Sequence, residues 1–309
     1  MSVGPAAGGS AASDVPDEQT VRVEAADGVA LAGTLVAPPS PTAALLVGGG
    51  TGIPRRFYGR FAQVAARHGF AVLTVDYRGI GGSAPPSLRG FTARYRDTGQ
   101  RDLPGAIDWL SERYPDLPLA FVGHSVGGQQ IGLAPNVGRI GAAVFVAVST
   151  GYWRGMPTLY GLMTRALFAT YRPLTSRLFG YVPAKRIGWG EDLPVDVARE
   201  WAAWCAEPDY LGAFASGRRP TPDGSPFGPV HFGDAAFPVR AYAFTDDPIG
   251  TRANVPPMLA FYTAADIETV WVDPADLGRG AVGHLGFFRQ RVGGALWDGA
   301  LDWLTARVS

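Results

Sequence analysis

The sequence predicts an α/β fold: a doubly wound, mostly parallel sheet with an inserted helical cap. Three observations carry that prediction. Residues 43–47, 119–122 and 142–148 are short, uninterrupted apolar runs, and 70–75 is one broken only by Thr74, the pattern of strands buried on both faces. Segments of helical periodicity lie between them, as parallel strands require a crossover. The alternation stops at Gly151, gives way to an aromatic, proline-rich stretch, and resumes at residue 239.

Taken in order, residues 20–25 and 30–37 read as strands joined at Asp27-Gly28, a hairpin signal. Residues 43–47 run into the loop Gly48-Gly49-Gly50-Thr51-Gly52. Residues 55–68 place Phe57, Phe61, Val64 and Ala65 at helical spacing and stop at Gly69. Residues 97–113 repeat the pattern with Leu103, Ile107, Trp109 and Leu110. The strand at 119–122 enters Gly123-His124-Ser125-Val126-Gly127, after which residues 126–133 can start a helix. From 151 to 236 there is a helical pattern at 194–206 and a Pro/Gly-rich loop at 220–227, but no clear parallel strand. Strands return at 239–244 and 269–272, and residues 293–308 carry Leu296, Trp297, Leu301 and Leu304 on one helical face. The expected division is a disordered tail at 1–18, a core of 19–150 and 237–309, and a cap of 151–236.

Composition narrows the partners. The chain has 309 residues, 47% of them hydrophobic, enough for a large core. Its 27 basic and 27 acidic residues balance, so net charge favours neither nucleic acid nor an anionic membrane surface. Arg55-Arg56 and Arg218-Arg219 read as solvated surface. No run approaches the roughly 18 apolar residues of a membrane-spanning helix. Residues 1–16 lack the basic leader and apolar block of a secretory signal. The single cysteine, Cys205, excludes an internal disulfide and fits a reducing cytoplasm, the expected location. The four histidines and that cysteine show no metal-ligand spacing, so neither metal nor cofactor is expected. Oligomeric state is left open, a homodimer included.

The chemistry centres on residues 123–127, which fit G-x-S-x-G. A serine on a sharp strand-to-helix turn has a strained backbone and an exposed hydroxyl. Its flanking glycines are needed where a Cβ would collide with the neighbouring strand and helix. Ser125 is therefore the candidate nucleophile. It needs a base, and the base needs an orienting group. In doubly wound hydrolases the chain order is Ser, acid, His. His68 and His124 precede Ser125, and His231 precedes the last two strands; only His284 follows the final strand. His68 and His231 read as exposed polar residues. The acid should end the penultimate strand, where Asp246 and Asp247 are adjacent. The following Pro248-Ile249 favours Asp247, leaving Asp246 as the alternative acid, or to cap the turn or contact the substrate. The oxyanion hole is expected from the N–H of Val126 plus one from the glycine loop, Gly50 or Thr51. That loop does not read as a nucleotide site, because it lacks a Lys-Ser/Thr ending and a completed G-x-G-x-x-G. Trp153, with Tyr152 before it, follows the sixth strand and is expected near the substrate. Trp201 and Trp204 share a helical face and read as core, and Glu191-Asp192 as a helix start. Cys205 has no neighbouring base and is not read as a nucleophile.

These residues together resemble the α/β-hydrolase superfamily. Asp76-Tyr77-Arg78-Gly79-Ile80-Gly81-Gly82-Ser83 resembles its loop after the fourth strand, residues 123–128 its nucleophile elbow, and Gly283-His284 its histidine loop. More narrowly, five segments resemble a poorly characterised group of bacterial predicted α/β hydrolases. They are Thr51-Gly52-Ile53-Pro54 with Phe57-Tyr58, Gly151-Tyr152-Trp153-Arg154, Gly190-Glu191-Asp192-Leu193-Pro194, Glu200-Trp201 with Trp204-Cys205, and His284-Leu285-Gly286-Phe287-Phe288-Arg289. The superfamily's frequent His-Gly before the oxyanion loop is replaced by glycines. The resemblance implies a serine hydrolase acting on a small-molecule ester, thioester or amide. It leaves open an acyltransferase using the same acyl-enzyme, and a cyclase, lyase or binding protein on the same fold.

Overall fold

The computed structural model describes residues 17–278 and 280–308. The tail expected at 1–18 thus lies outside the described residues, except that Asp17 and Glu18 already belong to a strand. The strands are β1 (Asp17–Glu24), β2 (Ala30–Ala37), β3 (Ala43–Gly48), β4 (Phe70–Val75), β5 (Leu119–His124), β6 (Ile140–Val146), β7 (Val239–Phe244) and β8 (Ile267–Val272). They form one sheet in the order β1-β2-β4-β3-β5-β6-β7-β8. The β1–β2 and β2–β4 pairs are antiparallel; all others are parallel.

The apolar runs are explained by covering on both sides. Along β3, Leu45 and Val47 face α1 (Gly59–Arg67) and the C-terminal helix (Gln290–Val308), packing with Phe61, Trp297 and Leu301. Ala44 and Leu46 face the other way, toward Leu103 and Ile107 of α2 (Leu103–Arg113). From β3 the chain moves to β4 on one side, then crosses to β5 on the other. Such a reversal opens a crevice at the carboxyl ends of the strands. Both the glycine loop after β3 and Ser125 after β5 sit there.

Two helices begin differently from their sequence pattern. The segment expected at 55–68 opens with a 3₁₀ turn, Arg55–Tyr58, and the one expected at 97–113 opens with a π turn, Thr98–Asp102. Arg55 and Arg56 are not simply solvated: Arg55 pairs with buried Asp76, and Arg56 with Glu191. After β5 comes the short α3 (Val126–Gln130). Between β6 and β7 lie α4 (Thr158–Ala166), α5 (Arg172–Phe179) and α6 (Val195–Ala206). A π turn, Leu167–Tyr171, joins α4 to α5 without a break. Among the described residues no helix is long and apolar enough to cross a membrane.

Candidate active site

Ser125 stands between β5 and α3 at φ 48 and ψ −113, outside the regions a residue with a Cβ normally occupies. The turn is tight because the elbow lies directly on neighbouring backbone. A Cβ on Gly127 would come 2.2 Å from the Gly48 carbonyl oxygen, and one on Gly123 would come 2.6 Å from the Gly128 Cα. Ser125 N donates to Val146 O at 2.9 Å, which ties the elbow to β6.

The Ser125 Oγ lies 3.0 Å from His284 Nε2, and His284 Nδ1 lies 2.7 Å from Asp247 Oδ2. Both distances are within hydrogen-bond range. Asp247 is almost wholly buried on the turn after β7. Burial works to raise its carboxyl. The adjacent His284, by charge and hydrogen bond, and the N–H groups of Gly250 and Ile249 outweigh this and hold it below the ordinary value. Asp246 neither caps that turn nor faces the serine. Its two oxygens accept from Val282 N at 2.8 Å and Gly283 N at 2.9 Å, anchoring the loop that carries His284.

A second histidine supports the first. His124 is fully buried, and its Nε2 lies 2.9 Å from the His284 carbonyl oxygen. A carbonyl can only accept, so Nε2 carries the proton and Nδ1 is an acceptor. Tyr58 Oη donates to that Nδ1 at 2.8 Å and itself accepts from Gly50 N at 2.7 Å. Burial first, then repulsion from His284, pushes His124 down to about 3, so the ring is neutral. The chain Gly50–Tyr58–His124–His284 joins the glycine loop to the histidine loop. Sequence gave little sign of it. His124 is the free x of the motif, and Tyr58 is distant in the chain.

This network corrects one expectation: the Gly50 N–H is already used. Thr51 N and Val126 N have no acceptor among the described residues, and the Thr51 hydroxyl is held by Tyr95 Oη at 2.6 Å.

Ser125 and His284 open into a cavity of about 200 Å³. Its far wall comes from the segment inserted between β6 and β7, through Tyr160, Thr164, Phe168, Trp189 and Trp201. No Asp, Glu, Lys or Arg lines it. Tyr152 and Trp153 do not line it either, contrary to expectation. Asn254 Nδ2 holds the Tyr152 carbonyl at 3.1 Å, and the half-buried Trp153 ring lies under the guanidinium groups of Arg154 and Arg165. Gly151 takes that place on the wall, and Trp201, expected in the core, faces the cavity while Trp204 is buried. Cys205 touches the cavity, but burial pushes its thiol far up, so it carries no thiolate there. Glu191 and Asp192 do not start a helix. Glu191 pairs with Arg56 and Lys185, and Asp192 accepts from Lys185 N. Among the described residues no group of His, Cys, Asp and Glu is placed to hold a metal ion.

An eight-stranded, mostly parallel sheet with a serine elbow after β5 and a histidine after β8 is the α/β-hydrolase fold. A family model described as serine aminopeptidase, S33, matches residues 39–177. The chain is similar to DcsB in complex with a substrate analogue, at 14% identity and TM-score 0.62, covering 94% of this chain and 99% of that one. It is also similar to the esterase Pf2001 of Pyrococcus furiosus, at 15% identity and TM-score 0.59, covering 95% and 94%. The hypothetical protein PA2218 of Pseudomonas aeruginosa is similar at 16% identity and TM-score 0.61, covering 96% and 95%. No curated protein sequence matches.

Proposed function

We propose that this protein is a serine hydrolase that cleaves an ester, or a related acyl bond, through an acyl-enzyme on Ser125. The observation that carries the reading is the unbroken line Ser125 Oγ–His284 Nε2 and His284 Nδ1–Asp247 Oδ2 at the mouth of an apolar cavity. Ser125 Oγ attacks the carbonyl carbon while His284 Nε2 takes its proton; Asp247 fixes the tautomer and stabilises the imidazolium. The oxyanion is accepted by the N–H groups of Val126 and Thr51, each worth roughly 3 kcal/mol of barrier. His284 then protonates the leaving group. Water then attacks the acyl carbon, losing a proton to His284; as the acyl–Oγ bond breaks, His284 returns that proton to Ser125 Oγ and the acid leaves.

The cavity supports an uncharged, apolar acyl group. An apolar cavity of about 150 Å³ holds benzene, so about 200 Å³ fits a phenyl ring or roughly six to eight carbons. An aminopeptidase must pair its substrate's ammonium with a carboxylate, since an unpaired buried charge is very costly. The cavity offers none, and Asp247 is committed to His284. The similarity to the esterase Pf2001 points the same way.

A fluorophosphonate probe is expected to label the native protein and to leave Ser125→Ala unlabelled. Hydrolysis of p-nitrophenyl hexanoate should exceed that of an aminoacyl p-nitroanilide by orders of magnitude. Labelling of the alanine variant would remove Ser125 from its role, and faster anilide cleavage would reverse the substrate assignment.

A further inference from the structure

Only seven large apolar side chains are exposed in the described chain, and five belong to the continuous helix formed by α4, its π turn and α5: Leu159, Leu162, Met163, Leu174 and Leu178. They are between 46% and 73% exposed. At about 100° per residue, Leu159, Leu162 and Met163 form one stripe. In a regular helix Leu174 and Leu178 would be rotated roughly 60–100° off it. The wide turn at Leu167–Tyr171 absorbs one extra residue and brings them back into line. Tyr160, Thr164 and Phe168, on the opposite face, wall the cavity.

The segment that carries this stripe is charged with one sign. Residues 117–190 contain no Asp or Glu, whereas residues 151–190 carry Arg154, Arg165, Arg172, Arg177, Lys185 and Arg186. Only Lys185 of these has an acidic partner among the described residues, Glu191. Arg165 and Arg177 fall on the same flank of the stripe once the wide turn is counted. The zero net charge of the whole chain conceals this local excess. We propose that this helix docks on an anionic phospholipid surface, its leucines among the acyl chains and its arginines at the headgroups. Two copies joined by a two-fold axis through the same patch would bring like charges together, so charge favours the lipid over a second copy.

The test reads binding without turnover. Full-length protein is sedimented with phosphatidylcholine vesicles and with vesicles that also contain phosphatidylglycerol. Binding is expected to the mixed vesicles alone and to weaken as salt rises. Leu162→Glu with Leu178→Glu should weaken it at least tenfold while hydrolysis of a soluble ester is unchanged. Arg165→Gln with Arg177→Gln should also weaken it about tenfold or more, at roughly fivefold per surface charge. No binding to anionic vesicles at low salt overturns the proposal. So does unaltered binding of the leucine variant, or a concentration-dependent dimer that Leu178→Glu abolishes. Lipid binding by a protein inactive on every ester would instead overturn the hydrolase reading and leave the docking surface standing.

Discussion

Asp246 and Asp247 are adjacent and chemically identical, yet they hold different things. Asp247 receives the imidazole of His284, and Asp246 receives the backbone of the loop that carries it. Asp247→Asn should keep the fold and lower kcat by about 10⁴, because an amide presents the wrong partner to His284 Nδ1. Asp246→Asn loses one charge-assisted bond, a cost of about 1–3 kcal/mol, and should lower kcat far less. Steady-state kinetics on one soluble ester ranks the two; the opposite ranking would make Asp246 the acid. Only the Pro248-Ile249 that follows distinguished them in sequence. The proposed oxyanion donors were less legible. Gly50 and Thr51 are equivalent until the phenol of Tyr58 is seen to occupy the Gly50 N–H.

At the scale of elements, the strands were legible because each buried strand is a plain apolar run, and the elbow because glycine marks close backbone approach. That second inference has a measurable consequence. A Cβ on Gly127 meets the Gly48 carbonyl at 2.2 Å, and neither group is a side chain that can swing aside. Gly127→Ala should cost about 1–3 kcal/mol of stability and slow probe labelling. Gly299, inside the C-terminal helix, has open space around its Cβ position, so Gly299→Ala should stabilise by about 0.5–1 kcal/mol. Urea midpoints compare the two, and a Gly127→Ala protein of native stability would refute the close-approach argument. The inserted helices were read less well, for a physical reason. Trp201 and Trp204 share a helical face, and nothing in their spacing says which meets the cavity. A π turn shifts helical phase in a way that periodicity alone does not reveal.

At the scale of the whole molecule, buried titratable groups set the response to acid. His124 has its pKa lowered from 6.5 to about 3 by burial and by His284, so between those limits the unfolded chain holds a proton that the folded one refuses. Stability from this group falls as pH falls, by about 1.4 kcal/mol per unit. Asp102 is shifted the other way, from 3.8 to about 6, because burial raises it more than Arg78 lowers it. Between pH 6 and about 4 the folded protein holds the extra proton, and stability from Asp102 rises as pH falls. Glu200, buried against Arg96, shifts in the same direction. The opposing slopes offset one another in that window. Below about pH 4 the offset ends. There Asp247, whose folded pKa lies below its unfolded one, also loses its contribution as it protonates. The urea midpoint of the native protein should therefore be nearly flat from pH 6 to 4 and fall steeply below. Asp102→Asn removes one of the groups that oppose His124, so its midpoint should already decline between pH 6 and 4. Identical profiles for the two proteins would show that Asp102 takes up no proton in that window.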